Sequence, residues 1–313
     1  MLSSSVVEDA AQQARRQPWV AMECNQLTPG RSVGTMDVID LGTQQIVRET
    51  QTVSVHKVGT TPRNFCTLSI CTPGKNRISV HGEDGIGCVF FLPGQTEFDL
   101  LIAGGSQTTY VSFPEDDLLR AIEALRPANW NDRAEGMRAI DMADKAMFET
   151  AAAIWFEAVG AAVARGDAVD LERLSGTIRD AVLQILTASE QQGFSDVSAG
   201  ERARGFHIGR RARARIEEEL QKDELPSISR LCEELGVSER GLQYAFHEYV
   251  GVSPLAYIRI CRLNRARALL RQALPSETTV TEVAMHFGFL HLGRFAADYR
   301  KLFGESPSST LTS

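Results

Sequence analysis

Two stretches near the end of the chain set polar side chains opposite an apolar stripe, a pattern suited to reading the edges of base pairs. From Ser238 to Tyr249, the residues Leu242, Ala245, Phe246 and Tyr249 recur at three- and four-residue intervals and share one face of a helix. Glu239, Arg240, Gln243, Tyr244 and His247 are left on the other face. Arginine can bind guanine bidentately and glutamine adenine, each contributing about 1–3 kcal/mol of discrimination between bases. Ser238 stands at the helix start, where its hydroxyl can cap the backbone and also meet a phosphate. In the second stretch Phe295, Tyr299, Leu302 and Phe303 turn inward and His291, Leu292, Arg294, Ala297 and Asp298 remain outside. Arg294 suits a base or a phosphate and Leu292 a thymine methyl, while Arg300 and Lys301 fall where they balance the helix dipole. The first stretch is therefore expected to read sequence and the second mainly to position.

An internal repeat supplies the elements that must hold these residues. Leu242, Phe246, Gly251, Ser253 and Pro254 return 53 residues later as Phe295, Tyr299, Gly304, Ser306 and Pro307, and Gly236 returns as Gly288 after 52. In the first copy Ser227 is placed to cap a helix bearing Ile228, Leu231 and Leu235, and Gly236 takes the turn into the helix capped by Ser238. In the second copy Thr279 and Glu282 have capping-box spacing, Val280, Val283 and Ala284 face inward, and Gly288 turns into the next helix. Each copy reads as a helix-turn-helix unit, 227–249 and 279–303, of the kind whose second helix enters the major groove. Between them Ser253-Pro254 starts a spacer helix carrying Leu255, Ile258, Cys261, Leu263, Ala266, Leu269 and Leu270. About twenty residues at ~1.5 Å each make a rod of roughly 30 Å, near the ~34 Å repeat of a duplex. Its Arg259, Arg262, Arg265, Arg267 and Arg271 are read for the most part as a solvated face.

Net charge is −7, but residues 208–313 carry 15 Lys and Arg against 13 Asp and Glu, or +2, which leaves 18 against 27, or −9, upstream. Within 238–301 the balance is 9 basic to 5 acidic, the sign a phosphate backbone requires. The upstream part begins with short Val-, Ile-, Thr- and Phe-rich runs at Gln45–Val47, Thr52–Val58, Cys66–Cys71 and Cys88–Leu92. They are separated by Pro29-Gly30, Gly59, Pro73-Gly74, Gly82, Gly85, Gly87, Pro93-Gly94 and Gly104-Gly105. That spacing predicts an antiparallel sandwich or barrel over 1–113, able to hold one small ligand. Over 114–189 the apolar period lengthens, at Met142, Ala146, Phe148, Ala152, Ile154 and Trp155 and again at Leu174, Ile178, Val182, Ile185 and Leu186. Two or three helices broken near Gly166-Asp167 are expected, with faces that serve the core or a second subunit. The Gly/Ser-rich polar stretch within 190–207 reads as a linker, and 208–313 as the double helix-turn-helix domain. The fold class is α+β: a cupin-like antiparallel β-barrel, a helical layer and an all-α end.

The motif Ser238-x-Arg240-x-Leu242-Gln243 with Phe246 is followed by Gly251-x-Ser253-Pro254 and by Arg262-Leu263, Ala266 and Leu269-Leu270. With Gly288-Phe289, the run Phe295 to Gly304 and Ser306-Pro307, it resembles the AraC/XylS family of transcription regulators over about one third of the chain. The stretches His291 to Phe295 and Gly304 to Ser308 are most similar to the ethanolamine-utilisation regulators, with a fainter likeness at Leu27-Thr28-Pro29-Gly30 and Pro93 to Phe98. The resemblance implies that Arg240, Gln243 and Tyr244 read bases, that the front domain binds a small effector and often dimerises, and that promoter DNA and RNA polymerase are partners.

The rival reading from the residues is a cupin-type metal-dependent enzyme fused to a helical DNA-binding module. Such enzymes use His-x-His with a nearby Glu and a further His, whereas the barrel histidines His56 and His81 each stand alone. Neither GxSxG nor HExxH occurs, and Cys24, Cys66, Cys71, Cys88, Cys232 and Cys261 lack zinc spacing. No catalytic residue, metal ligand or cofactor is therefore expected. With no secretory signal at the start and no span of about twenty apolar residues, a cytoplasmic protein that binds no membrane is expected. Effector-lining positions within Val53–Val58, Cys66–Cys71 and Val89–Phe98 stay unranked, as does the choice between activator and repressor.

Overall fold

Alternating side chains and glycine or proline turns organise the front of the chain into strands, and a computed structural model describes residues 1–17, 19–72, 79–80, 83–84, 89–125, 138–140, 145–188 and 201–312. The first elements are β1 (Leu2–Val7), α1 (Ala10–Arg15), β2 (Ala21–Gln26), β3 (Gly34–Asp40), β4 (Gln45–Gln51), β5 (Val55–Thr60) and β6 (Phe65–Thr72). There follow β7 (Ser79–Val80), β8 (Glu83–Asp84), β9 (Val89–Leu92), β10 (Glu97–Ile102), β11 (Gln107–Pro114), α2 (Glu115–Leu125), β12 (Arg138–Ile140), α3 (Lys145–Arg165) and α4 (Leu171–Ala188). The helical end comprises α5 (Glu201–Gln221), α6 (Ile228–Leu235), α7 (Glu239–Val250), α8 (Pro254–Gln272), α9 (Val280–His286), α10 (Leu292–Phe303) and α11 (Pro307–Leu311).

Two sheets, β1-β3-β4-β11-β6-β9-β12 and β2-β5-β10-β7-β8, are antiparallel at each described pairing. Period-2 alternation splits β4 between two environments: Ile46 joins the core under α2, α3 and α4, while Val47 and Glu49 turn between the sheets. Cys24, Val55, Phe90, Phe98 and Ile102, drawn from both sheets, close the inner core. Among these apolar groups lies a buried polar set, in which Glu49 accepts from Lys57, from Gln13 at 3.0 Å and from Gln17 at 2.8 Å.

Several elements depart from the sequence expectation for identifiable reasons. Gly59 is not a turn but lies inside β5, because a Cβ there would stand 2.6 Å from the Ala21 carbonyl oxygen and 2.6 Å from the Phe98 ring. The serine-rich β1 lacks an alternating pattern and is an edge strand, fixed by its pairing Leu2↔Ile39 through Val7↔Gly34. Within the region read as helical, the three-residue β12 pairs with β9, taking its conformation from a neighbour's free edge. Ile154 is 56% exposed, whereas Phe148, Ala152, Trp155, Phe156 and Val159 form the packed face of α3. By length and composition α3 could cross a membrane, yet that packed face is committed to the sheet. The chain is already helical from Glu201, so the linker expected over 190–207 ends sooner, and 189–200 lie outside the described residues. Pro73-Gly74, His81, Gly82, Gly85, Gly87, Cys88 and Met142 also lie outside them.

Candidate nucleic-acid interface

The two recognition helices are built by caps and by separate cores. Gly236 closes α6 at φ +65°, a left-handed conformation that a Cβ disfavours. Ser238 then starts α7, its hydroxyl accepting from the Gly241 N–H at 3.1 Å. Ser253 and Ser306 cap α8 and α11 in the same way. The Thr279–Glu282 capping box starts α9, with Glu282 accepting from the Thr279 N–H at 2.8 Å and Thr279 from the Glu282 N–H at 3.2 Å. Ser227 differs from expectation: it occupies the N-cap of α6, but its hydroxyl pairs with that of Ser229 at 2.9 Å and caps no backbone group. At α10 the N-cap position is His291, whose side chain makes no capping bond.

The inward stripes are closed. Leu242, Ala245, Phe246 and Tyr249 pack with Leu231, Ala212, Ile216 and Tyr257, and Phe295, Tyr299, Leu302 and Phe303 with Leu263, Val283 and Leu270. The side chains expected outside, Ser238, Arg240, Gln243, Tyr244, His247, His291, Leu292 and Arg294, are all exposed. Their described contacts run along their own helices: Tyr244 donates to Glu248 at 3.0 Å, Gln243 to Glu239 at 3.4 Å, and Arg294 lies 4.0 Å from Asp298. An approaching anion or base edge can replace such exposed contacts at little cost.

The spacer α8 holds 19 residues, about 28 Å at ~1.5 Å each. Leu255, at 68% exposure, and Leu269 leave its expected stripe, which Tyr257 enters. Its arginines are not a solvated face. Arg267 is buried over the Phe303 ring and pairs with Glu305 at 2.8 Å. Arg262 lies over Phe289 and donates to the Phe287 carbonyl at 2.6 Å, Arg265 donates to the Leu220 carbonyl, and Arg259 lies 3.4 Å from Asp298. Each arginine is a stitch between α8 and its surroundings, which spacing along one helix could not reveal.

The front domain reaches this assembly through several contacts that the sequence does not show, two of which bear on the recognition helices. The Gly30 N–H and the Gln26 amide donate to the Leu302 carbonyl at 3.0 and 2.6 Å, and so cap the C-terminal end of α10 from outside its own domain. Asp9 stands 3.7 Å from Arg267 and 3.3 Å from Arg271, which also pairs with Glu8 at 3.2 Å and lies 3.9 Å from Glu305. The second contact centres on Asp99. It accepts from His56 Nε2 at 2.8 Å and from the Tyr249 hydroxyl, with Arg213 3.6 Å away. Burial works to raise the Asp99 carboxyl, but the His56 hydrogen bond and charge, the Arg213 guanidinium and the Tyr249 hydroxyl outweigh it and hold the group at about 2. His56, alone in the sequence, is thus a fully buried and partnered residue. Among the described residues no group of three or more His, Cys, Asp or Glu is placed to hold a metal ion.

A family of helix-turn-helix domains matches residues 231–313. The chain is similar to a probable thc operon regulatory protein of Rhodococcus erythropolis, 41% identical over 85 residues, which are 27% of this chain and 26% of that one. It is also similar to the XylDLEGF operon transcriptional activator 2 of Pseudomonas putida, 40% identical over 111 residues, 35% of this chain and 71% of that protein. The solved structure of the AraC-like transcriptional activator CuxR aligns with 85% of this chain and 96% of its own, at 19% identity and a TM-score of 0.41. The matched segment spans about a quarter of the Rhodococcus relative's length.

Proposed function

Starting from a chain that belongs to the AraC family of transcription regulators, we propose that it is a sequence-specific DNA-binding activator whose two recognition helices enter successive major grooves of promoter DNA. The observation that carries this reading is the sorting of side chains on α7 and α10: apolar stripes sealed in two cores, and Ser238, Arg240, Gln243, Tyr244, His247, His291, Leu292 and Arg294 facing water. Arg240 and Gln243 read base edges, Tyr244 and His247 flank them, and Ser238 combines its cap with a phosphate contact. Arg294 and Leu292 position the second unit, with His291 at the helix start.

Arg240→Ala is expected to cost about 1–3 kcal/mol and to flatten the preference among half-site sequences, whereas Arg294→Ala weakens binding to all sequences alike and lowers the salt slope by about one. Fluorescence anisotropy on intact and scrambled half-sites at several salt concentrations separates the two. Equal loss of discrimination from both substitutions would refute the division of labour.

A small effector acts through the front domain, and the mixture of Cys24, Val55, Phe98 and Ile102 with Glu49, Lys57 and Tyr110 between the sheets supports that role. The likeness of His291 to Phe295 and of Gly304 to Ser308 to the ethanolamine-utilisation regulators supports a small amine as the effector class. Activation engages RNA polymerase, and the protein works in the cytoplasm as a homodimer without enzymatic activity. The outer side of α3 and the start of α4, with Met147, Ile154 and Leu171 exposed, supports a dimer contact. A metal-dependent enzyme gains no support at His56, whose two ring nitrogens are taken up by Asp99 and Tyr257.

A further inference from the structure

The 53-residue offset that relates the two helix-turn-helix units also relates their outer faces, position by position. Phe295 and Tyr299 stand for Leu242 and Phe246, while the positions of Arg240, Gln243 and Tyr244 fall on Gly293, Ala296 and Ala297. Each of those polar side chains is thus replaced in α10 by a single carbon or by none. Arg294 takes the place of Gly241, about 100° round the helix from Gly293, beside the base-facing row and not within it.

These small residues do not serve close packing inside the protein. A Cβ built on Gly293 meets nothing within 4 Å, and Ala297 is exposed. The turn leading into α10 adds Leu290, at 81% the most exposed large apolar side chain among the described residues, and Leu292 follows at 37%. Arg294, Arg300 and Lys301 are exposed around this apolar head, whereas Asp298 is drawn toward Arg259 at 3.4 Å. An apolar centre in a basic surround fits a groove walled by phosphates.

The chemistry such a head can read is narrow. Leucine, glycine and alanine side chains offer no partner to a base edge, and a donor or acceptor shut against them loses its water without replacement. The apolar group that base pairs display in the major groove is the C5 methyl of thymine.

We infer that α10 selects its half-site by thymine methyl groups packed against Leu290, Leu292 and Ala297, with Gly293 letting the helix backbone approach closely and Arg294 holding the phosphates. The inference deepens the reading of α10 as a DNA-contacting helix and rests on it. One methyl discriminates less than a bidentate arginine contact does, so the first unit remains the stronger reader of sequence.

The test uses the full chain and a duplex enriched by it from a random-sequence pool. Deoxyuridine replaces each thymine in turn, which removes the C5 methyl and keeps every hydrogen bond of the base pair. Fluorescence anisotropy is expected to find thymines about one helical turn from the bases that Arg240→Ala ceases to read, each replacement there weakening binding about fourfold, the effect of one buried methyl. In the double variant Leu290→Ser with Leu292→Ser the same replacements become silent, whereas Arg294→Ala keeps the sensitivity while binding every duplex less tightly. Gly293→Arg is expected to move the preferred base at its position from thymine to guanine. All are surface positions, and circular dichroism checks that the variants stay folded. An enriched duplex that tolerates deoxyuridine at every such thymine, or has none there, overturns the methyl reading and leaves the leucines to a protein partner. Sensitivity that persists in the folded double serine variant overturns it too. Failure of the parent to enrich any duplex overturns the DNA-binding reading as well.

Discussion

Glu49→Ala is expected to lower the stability of the front domain by about 3–5 kcal/mol, the usual cost of leaving a buried charge unpaired, against a total of roughly 5–15 kcal/mol for a domain. Glu49 on β4 and Lys57 on β5 are both almost fully buried, and the carboxylate also receives the amides of Gln13 and Gln17. Gln17 in turn accepts from the Tyr110 hydroxyl, so the segment carrying α1 is pinned over the sheets through this one side chain. Replacing both members by apolar residues of similar volume, Glu49→Leu with Lys57→Met, should recover most of the loss, because the desolvation of the charges disappears with them. Urea unfolding followed by tryptophan fluorescence reads the difference, and a loss below about 1 kcal/mol would mean that water reaches Lys57. Burial works to lower the Lys57 ammonium, but Glu49 beside it raises the group above its ordinary 10.5. A raised folded value means the pair's contribution is complete below that ordinary value and is lost only as pH climbs through the folded one. Lowering the pH from 8 to 6 should therefore leave the Lys57 contribution unaltered.

Phe246→Ala and Phe295→Ala should each cost about 3–5 kcal/mol, and each should melt a different helix-turn-helix unit. Phe246 is sealed among Ala212, Leu231, Leu242 and Tyr257, and Phe295 among Leu263, Val283, Phe289 and Tyr299. Ile260 on the spacer packs against both cores, whose buried residues are otherwise distinct, so a cavity in one need not collapse the other. Hydrogen exchange resolved along the chain should show α7 losing protection in Phe246→Ala with α10 preserved, and the reverse in Phe295→Ala. Simultaneous loss in both units from either substitution would mean that the helical domain unfolds as one body.

The sequence by itself determined the features that depend on neighbours within a few residues. The 53-residue repeat, the serine and threonine caps, the Gly236 turn and the 3.6-residue apolar stripes located α6, α7, α9 and α10 and sorted Arg240 and Arg294 to their outer faces. A helix makes those contacts with itself, so spacing is enough to predict them. Tertiary structure alone decided which distant groups would meet. Asp99 and Tyr249 are 150 positions apart, Gln26 and Leu302 are 276 apart, and Arg271 finds Glu8 across 263. No periodicity encodes such pairs, because a long charged side chain on a helix reads the same whether water or a carboxylate from another domain awaits it. The spacer arginines and the lone His56 were therefore opaque in the sequence; the fold turned Arg267, Arg271 and His56 into contacts that join its two halves, and Arg259, Arg262 and Arg265 into contacts within the helical domain.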